Sequence, residues 1–318
     1  MNVLVTGGAG FIGSHLCERL LRDGHRVRII DELNDFYPRA LKLSNLDSVR
    51  ARGPVEFHCV DICDIDRVRQ VFAAERTDAV IHLAARAGVR PSLSQPLLYQ
   101  QTNVIGTQVL LEMCREFAVP RFVFASSSSI YGIANQAPFR EDDSVNLPVS
   151  VYAATKIAGE KLCYTYSHLY GLTVACLRFF TVYGPRQRPD LAIRKFTEMI
   201  AHGRPIPVFG DGSSGRDYTY VDDTVDGIVA ALGYGRPFEV FNLGNSHPVT
   251  LTAMIETIEA ALGRKAVIEW LPDQPGDVPI TFADISKAEA LLAYRPRTPF
   301  VTGIERFVSW FRTLSTGQ

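Results

Sequence analysis

The sequence has no surplus of charge of either sign. Its 318 residues include 33 Lys and Arg and 34 Asp and Glu, which gives a formal net charge of −1. A protein with this balance has no electrostatic reason to bind nucleic acid or an anionic membrane surface, because both attract a basic face. We therefore expect neither as a partner, although a local basic cluster could still bind one anionic small molecule.

The six cysteines lack the spacing of a metal site or a disulfide scaffold. No CxxC pair occurs, so we predict no bound metal and interpret the cysteines as structural thiols in a reducing compartment. The chain also lacks a run of about 18 apolar residues. Its first residues, MNVLVTGG, start a strand and lack the pattern of a signal peptide. These observations predict a cytoplasmic protein.

In place of these features the sequence has a regular alternation of short apolar runs and helix-period segments, which extends to about residue 180. Strands that alternate with helices predict an α/β fold with a doubly wound parallel sheet of the Rossmann type. The predicted strands are 3–5, 26–30, 55–57, 79–83, 122–124 and 173–177. The predicted helices are 12–22, 65–72, 97–117 and 152–170.

Beyond about residue 180 the composition changes, because Gly and Pro become frequent in YGPRQRPD and GRPIPVFGDGSSGRD. A helix at 221–232 and the strand-like FEVFNLG follow, and this strand could rejoin the first sheet. Further helices are predicted near 250–262, 286–292 and 300–313. We predict two interleaved domains, one made of 1–180 with about 217–245, and a smaller α/β domain made of 181–216 and 246–318.

The first predicted strand is followed by three glycines in the spacing of a dinucleotide-binding loop. Gly7 permits a tight turn, Gly10 lets the backbone approach a pyrophosphate, and Gly13 lets the helix pack closely on the strand. The helix N-terminus offers free N–H groups to phosphates. Asp31 ends the next strand, where a carboxylate can accept both hydroxyls of an adenosine ribose and repel a 2′-phosphate. The pattern therefore predicts NAD rather than NADP, bound by the first domain.

Two more strand ends fit the same cofactor. Asp61 follows the third strand with Ile62, and a carboxylate there can reach the adenine amino group. Small residues follow the fourth strand, as a backbone that lies against a ligand requires. Asp61 as a helix cap and the alanine pair as a helix-packing site remain open as alternatives. The other cofactor contacts expected in these segments are Phe11, Ile12, Asn34, Leu83, Ala84 and Ala85.

YAATK places Tyr152 and Lys156 on the same face of one predicted helix. Tyrosine has a reference pKa of about 10, and a nearby ammonium lowers that pKa by about one to three units. The pair could then exchange a proton with a substrate alcohol near neutral pH. The same spacing also arises by chance on helix surfaces, but here it accompanies a dinucleotide loop. We interpret both residues as catalytic and in contact with the cofactor.

Together these motifs resemble the extended short-chain dehydrogenases/reductases, over essentially the whole chain. TGGAGFIG, HLAA, the serine run, YAATK, TNVIGT with Asn103, and GRDYTYVDD carry the resemblance. It implies that Ser127 hydrogen-bonds the reacting hydroxyl, that Tyr152 is the acid/base, and that Lys156 holds the nicotinamide ribose. It also implies that Asn103 lies at the cofactor, and that Arg216, in a Gly-rich loop, binds the diphosphate of a nucleotide sugar. An exposed loop arginine is the alternative for Arg216.

The run FASSSSIYG has no carboxylate at the end of the fifth strand. Members of the family that this sequence resembles differ in the two residues after the active-site Ser or Thr. Nucleotide-sugar 4,6-dehydratases carry Asp-Glu there, and UDP-glucuronate decarboxylases carry Ser-Glu. Here Ser128 and Ser129 occupy those positions, so no acid is present for elimination or for loss of CO2. Oxidation and re-reduction at C4 remain, which is epimerisation. A strand-end turn with satisfied hydroxyls is the alternative.

The segments DELNDFYPRALK, AGVRPSL, SVYAATK and LRFFTVYGPRQRPDLA resemble the UDP-glucuronate 4-epimerases. The resemblance implies NAD-dependent conversion of UDP-glucuronate to UDP-galacturonate through a 4-keto intermediate. Arg186 and Arg188 lie in the loop that follows the sixth strand. Arg86 departs from the family, where an uncharged Gln is expected. The substrate contacts expected are Ser128, Ser129, Thr181, Arg188, Arg216 and Asp277.

Other functions stay open at this point. They are epimerisation of neutral UDP-sugars, decarboxylation of UDP-glucuronate, and an inactive NAD-sensing regulator. The intact set of Ser127, Tyr152 and Lys156 argues against the regulator, which has no need of it. The resemblance further implies a homodimer formed by the helices at 97–117 and 152–170.

Overall fold

The computed structural model describes residues 1–133, 135–272 and 280–315. The strands, in chain order, are β1 (Asn2–Thr6), β2 (Arg26–Ile30), β3 (Val55–His58), β4 (Ala79–His82), β5 (Arg121–Ser127), β6 (Thr173–Phe179), β7 (Thr181–Tyr183), β8 (Ile206–Phe209), β9 (Gly215–Tyr220), β10 (Phe238–Leu243), β11 (Pro248–Thr250), β12 (Ile268–Leu271) and β13 (Ile280–Thr281). The α-helices are α1 (Phe11–Arg22), α2 (Arg39–Arg50), α3 (Ile65–Ala74), α4 (Val89–Ser94), α5 (Pro96–Gln100), α6 (Gly106–Glu116), α7 (Val151–Tyr170), α8 (Ala192–Ala201), α9 (Val221–Leu232), α10 (Leu251–Leu262), α11 (Ser286–Leu292) and α12 (Phe300–Ser315). Within these described ranges, no helix is both long and apolar enough to span a lipid bilayer.

Seven of the described strands form one sheet in the order β10-β6-β5-β4-β1-β2-β3, and every pairing in it is parallel. The strand order reverses between β1 and β4. Connections on the two sides of such a point run to opposite faces of the sheet, which leaves a crevice at the carboxyl ends of the strands. The predicted doubly wound parallel sheet is confirmed, and FEVFNLG rejoins it as β10 beside β6.

The sheet is buried on both faces. Val3 and Val5 of β1 pack into a core that contains Leu16 of α1. Leu4 points the other way, into a core that contains Leu110 of α6. This alternation explains why the strands are apolar along their whole length, since neither face of a strand meets water.

The chain after β6 forms a second, smaller group of strands, except for β10, which belongs to the first sheet. There β9 pairs with β7, β11 and β13, and β8 pairs with β12. Strands β8 and β9 were not predicted, because their segment is dense in Gly and Pro, which usually indicate loops. Helices α2 and α8 were not predicted either. We retain the predicted division of the chain as a proposal, with 1–180 and about 217–245 forming one domain and 181–216 with 246–318 the other.

Two predicted elements have different limits in the structure. The helix predicted over 97–117 is divided into α5, a π-helix at Gln101–Ile105, and α6. The strand predicted over 122–124 extends to Ser127, because Ser126 and Ser127 pair with Arg178 and Phe179 of β6. The first half of the serine run is therefore strand, and the rest forms a 3-10 turn at Ser128–Tyr131.

Helix α7 lies unusually close to β5. A Cβ atom on Gly159 would lie 2.3 Å from Cζ of Phe124, so only glycine fits at this position. One residue further, the hydroxyl of Ser126 donates a 2.6 Å hydrogen bond to Oε1 of Glu160. Packing and a buried hydrogen bond therefore fix the distance between this helix and the end of β5.

Replacing Gly159 with Ala should lower the free energy of unfolding by roughly 1–3 kcal/mol, the usual cost of overpacking a core. Urea denaturation followed by circular dichroism measures the change. Gly235→Ala is the matched control, because a Cβ there meets nothing within 4 Å. Equal stability of the two variants would contradict the close approach of α7 to β5.

Candidate active site

The glycine loop after β1 has the close contacts that its spacing predicts. Gly7 has a φ of +74°, and a Cβ on it would lie 2.8 Å from the backbone nitrogen of Ala84. A Cβ on Gly13 would lie 2.1 Å from the carbonyl oxygen of Gly7. The loop therefore packs against both the start of α1 and the end of β4. Larger side chains at these positions would fill the cradle that a dinucleotide requires.

Asp31 lies at the end of β2 and faces the same loop. Its carboxylate accepts hydrogen bonds from the amides of Ala9 (3.2 Å) and Leu33 (2.9 Å). Burial raises the pKa of Asp31, and these amides together with the charge of Lys42 oppose that rise. The ammonium of Lys42 donates to both the carbonyl and the side-chain oxygen of Asn34, each at 2.7 Å. The sequence analysis named Asn34 but missed Lys42, which lies on the unpredicted helix α2.

The ends of β3 and β4 complete this half of the site. Asp61 accepts from the amide of Cys63 at 2.9 Å, and the cap of α3 is Asp64 instead. The helix-cap alternative for Asp61 is therefore wrong. The backbone of Ala84 lies against Gly7, and Ala84 and Ala85 both line a cavity. Ala84 also packs against the core that contains Leu110 of α6, so the helix-packing alternative stays open.

Arg86 follows β4 and also lines the cavity. The backbone amide of Arg86 donates to Oδ1 of Asn103 at 2.8 Å, and Nδ2 of Asn103 donates to the backbone carbonyl of Arg86 at 2.9 Å. Nδ2 of Asn103 also donates to Oγ1 of Thr155 on α7. Asn103 is buried, and the cavity wall next to it is formed by Thr102. Its predicted contact with the cofactor stays a prediction.

Tyr152 and Lys156 both lie on α7 and line the cavity, as predicted. The ammonium of Lys156 lies 5.9 Å from the centre of the Tyr152 ring and donates to the carbonyl of Ala125 at 2.7 Å. Burial lowers the pKa of Lys156 from 10.5 to about 8. The Lys156 side chain is therefore anchored to β5 and lies near the ring of Tyr152.

The pKa of Tyr152 differs from the sequence prediction. Burial raises it, while a hydrogen bond with Ser127 and the charge of Arg188 oppose that rise. The predicted lowering by Lys156 is wrong for the protein alone, because desolvation dominates and the ammonium is directed at Ala125. Arg188 is the cation that acts on the phenol.

The serine run lies beside Tyr152. The hydroxyl of Ser127 donates to Oγ of Ser129 at 3.2 Å and accepts from the amide of Ser129. Ser128 and Ser129 are half-buried in the 3-10 turn. Within this run only hydroxyl groups are available, since residues 126 to 129 carry no carboxylate.

The loop after β7 brings one of its two arginines to the cavity. Arg188 lines the cavity, forms a two-point ion pair with Asp190 at 2.8 and 3.0 Å, and lies over the ring of Phe36. Arg186 instead reaches α1, where it pairs with Glu18 at 2.6 Å. Thr181 is half-buried at the start of β7.

Among the described residues predicted to contact substrate, Arg188 lines this cavity, whereas Ser128, Ser129, Thr181 and Arg216 do not. Arg216 lies on β9 rather than in a loop, because Gly215–Tyr220 pairs with three other strands. It is half-buried, and its Nη1 donates to the carbonyl of Gly215. Asp277 lies outside the described residues. Their roles at the substrate stay predictions.

A buried polar network connects α7, β6, β10 and the turn that follows β5. Arg178 of β6 forms two hydrogen bonds to Glu160 of α7, at 3.0 and 2.9 Å, and a third to the hydroxyl of Tyr131. That hydroxyl donates to Oδ1 of Asn242 on β10. The sequence analysis missed this network because its members lie far apart along the chain.

The cavity measures about 1120 Å³, part of it open to solvent. It extends from the glycine loop and Asp31 to Tyr152, Lys156 and Arg188. The glycine cradle, the acid at the end of β2 and the Tyr–Lys pair all fit a nicotinamide dinucleotide. In the described part of the chain, no cluster of His, Cys, Asp or Glu could hold a metal ion. The fold and site define a dinucleotide-dependent enzyme of the extended short-chain dehydrogenase/reductase class.

Comparison with known proteins agrees with this class. Residues 3–244 match the NAD dependent epimerase/dehydratase family, and the chain belongs to that family. A UDP-glucuronate 4-epimerase of Thermodesulfobacterium geofontis is 44% identical over 310 residues, which cover 96% of this chain and 95% of that protein. UDP-glucuronate 4-epimerase 4 of Arabidopsis thaliana is 41% identical, over 100% of this chain and 77% of that protein.

Two solved structures have the same fold. One is UDP-glucuronic acid 4-epimerase from Bacillus cereus in complex with UDP-glucuronic acid and NAD, with a TM-score of 0.91, 38% identity, and coverage of 99% of this chain and 100% of that chain. The other is UDP-glucose 4-epimerase from Thermotoga maritima with UDP-glucose, with a TM-score of 0.91, 32% identity and the same coverage, 99% and 100%. Because the TM-scores are equal, the fold alone does not separate acidic from neutral sugars.

Lys156 should increase the stability of the protein as the pH rises from about 8 to 10.5. In this window the unfolded lysine is protonated and the folded one is neutral, so the free energy of unfolding rises with pH. Below the window both states are protonated, and the folded state carries a buried ammonium. Urea denaturation of nucleotide-free wild type and Lys156→Met across this range measures the difference. Parallel pH profiles would contradict the lowered pKa.

Proposed function

We propose that this protein is an NAD-dependent UDP-glucuronate 4-epimerase, which forms UDP-galacturonate through a 4-keto intermediate. The observation that carries the proposal is a strand end with hydroxyls and no carboxylate at positions 127 to 129, beside a Tyr–Lys pair and Arg188. The relatives described above support it over nearly the full chain.

The cofactor is NAD, as the family requires. The residues that would hold it are the glycine loop, Asp31 at the adenosine ribose, and Lys156 at the nicotinamide ribose. When bound, NAD supplies the hydride acceptor and donor and a positive charge that favours the Tyr152 phenolate. Asp31 also supports the predicted preference over NADP, because a buried acid repels a 2′-phosphate.

The chain's own residues accept the proton of the C4 hydroxyl and return it. Tyr152 accepts the proton of the C4 hydroxyl as the C4 hydride leaves, and it returns this proton when hydride is added to the opposite face of the 4-keto sugar. Ser127, which hydrogen-bonds the phenol, orients the reacting oxygen. Lys156 fixes the position of the tyrosine through its anchor on Ala125.

The acidic group of the sugar needs partners that donate hydrogen bonds or carry positive charge. We propose that Ser128, Ser129, Thr181 and Arg188 bind the C6 carboxylate, and that Arg216 and Asp277 contact the nucleotide portion or the sugar. Charge-assisted hydrogen bonds of this kind contribute about 1.5–3 kcal/mol each. Holding the carboxylate also keeps the C5–carboxylate bond out of line with the C4 carbonyl π system, which prevents loss of CO2 from the β-keto acid.

Two other functions share this machinery. Epimerisation of a neutral sugar fits the same fold, because the UDP-glucose enzyme has an equal TM-score. Decarboxylation would need an acid that positions 128 and 129 lack. An inactive NAD sensor does not need the intact Ser127, Tyr152 and Lys156.

The assembly and location remain proposals. We propose a homodimer formed by α6 and α7 and the segment before them, which expose large apolar side chains. The exposed side chains are Leu97, Ile105, Tyr164 and Leu169. We also propose a cytoplasmic location, which is supported by the neighbouring thiols of Cys163 and Cys176, both unpaired in the structure.

Tyr152→Phe should reduce turnover by roughly 10²–10⁴, because it removes the proton acceptor and little else. NAD should stay bound, as measured by the absorbance of nucleotide released from denatured protein. Tyr170→Phe, an exposed tyrosine at the end of the same helix, is the matched control. Near-native turnover of Tyr152→Phe would mean that another group carries the proton.

Wild-type protein should convert UDP-glucuronate to UDP-galacturonate with little UDP-pentose and no accumulation of NADH. UDP-glucose should react much more slowly. Mass-resolved analysis of the products from both sugars tests this. A main product that is lighter by CO2 would make the protein a decarboxylase, and equal rates on both sugars would remove the argument for carboxylate binding.

In the same assay, Arg188→Ala should lower kcat/KM for UDP-glucuronate relative to UDP-glucose by roughly tenfold or more. Thr181→Ala should weaken glucuronate use or increase CO2 release. Arg204→Ala, an exposed arginine after α8, is the control for loss of a positive charge.

A further inference from the structure

Arg86 and Glu32 connect the two sides of the dinucleotide crevice. Glu32 follows β2 and Arg86 follows β4, and β1 lies between these two strands. Strands two positions apart are separated by about 10 Å, yet Nη2 of Arg86 lies 3.5 Å from Oε1 of Glu32. Both residues line the cavity. The guanidinium therefore crosses the crevice above the carboxyl end of β1, where the glycine loop begins.

The backbone of Arg86 is fixed from the side of the catalytic helix. Asn103 bonds both its amide and its carbonyl, and the same side chain reaches Thr155 on α7. The hydroxyl of Thr155 donates to the carbonyl of Tyr152 at 2.8 Å. The arginine thus extends from a rigid base and does not belong to a mobile loop.

The guanidinium has more donors than the protein uses. Its contact with Glu32 is a single one at 3.5 Å, whereas Arg188 makes two shorter contacts with Asp190. Nε of Arg86 is buried and has no hydrogen-bond partner among the described residues. The side chain is only 12% exposed. The part of the side chain that lines the cavity is the one able to meet an acceptor there, and its single long contact with Glu32 leaves donors available for it.

The position of the guanidinium selects the acceptor. Asp31 marks the adenosine ribose at one end of the cavity, and Tyr152 and Lys156 mark the nicotinamide ribose at the other. The diphosphate must run between them, past the glycine loop. We propose that Arg86 is a cofactor-binding residue that donates hydrogen bonds to the NAD diphosphate, with Glu32 orienting it across the crevice. The inference rests on NAD as the cofactor and not on the identity of the sugar.

The charges around the pair agree with a dianionic ligand. Lys42 also lines the cavity, and its charge interacts with the charges of Asp31, Glu32 and Arg86. Glu32 neutralises Arg86 only loosely, through one long contact. An arriving diphosphate can therefore take the remaining donors without breaking a tight ion pair.

Isothermal titration calorimetry on nucleotide-free protein tests the proposal, with no sugar and no turnover. The ligands are NAD, ADP-ribose, which keeps the diphosphate but lacks nicotinamide, and adenosine, which lacks both. Arg86→Gln should weaken NAD and ADP-ribose by about tenfold or more and leave adenosine unchanged. Arg86→Lys should recover part of this affinity, and added salt should reduce the difference between wild type and Arg86→Gln.

Two further variants separate the diphosphate contact from other causes. Arg204→Gln removes an exposed positive charge elsewhere and should leave all three affinities unchanged. Glu32→Gln keeps an oxygen for Arg86 and removes a negative charge near the diphosphate, so NAD affinity should not fall. Unchanged NAD affinity in Arg86→Gln would overturn the proposal. A loss for adenosine equal to that for ADP-ribose, or a loss in Glu32→Gln equal to that in Arg86→Gln, would also overturn it.

Discussion

The active site depends on one buried ion pair, between Glu160 of α7 and Arg178 of β6, whose side chains are 4% and 5% exposed. Glu160 also accepts from Ser126 of β5, and Arg178 donates to Tyr131 in the turn after the serines. The pair therefore joins the helix that carries the acid/base to the strand end that carries the hydroxyls. Loss of one partner from such a pair leaves an unpaired buried charge, which typically costs about 3–5 kcal/mol. A buried ion pair thus helps to fix the separation between Tyr152 on α7 and Ser127 at the end of β5.

Local patterns were sufficient to predict the first half of the fold. The glycine spacing, the acid at Asp31 and the i,i+4 pair of Tyr152 and Lys156 each act within a few residues of chain, and the structure brings them to one cavity. The pairing of β9 with three strands was not predictable in this way. Its partners lie far apart in sequence, and its composition is typical of a loop. Asp217 shows the same limit, because its carboxylate accepts from the amides of Asn245 and Ala283 in distant segments.

The electrostatics of the acid/base pair also depend on three-dimensional context. Spacing alone indicates that an ammonium four residues away lowers the pKa of a tyrosine. In the folded protein Lys156 is buried and Tyr152 is half-buried, and desolvation raises the pKa of Tyr152 and lowers that of Lys156. Each group is thereby shifted towards its neutral form. In the protein alone, desolvation outweighs the opposing charge of Arg188 on Tyr152.

The loop that carries Arg188 is attached to α1 as well as to β7, where Gln187 bonds the carbonyl of Val182. Arg186 pairs with Glu18 and bonds Ser14, and His15 contacts the carbonyl of Pro185 at 2.9 Å. These three α1 residues occupy one face of the helix whose first turn carries Gly13. For protein engineering, the loop of Arg188 and helix α1 would have to be exchanged together. A loop grafted from a relative with another substrate would need the matching α1 face to be grafted with it.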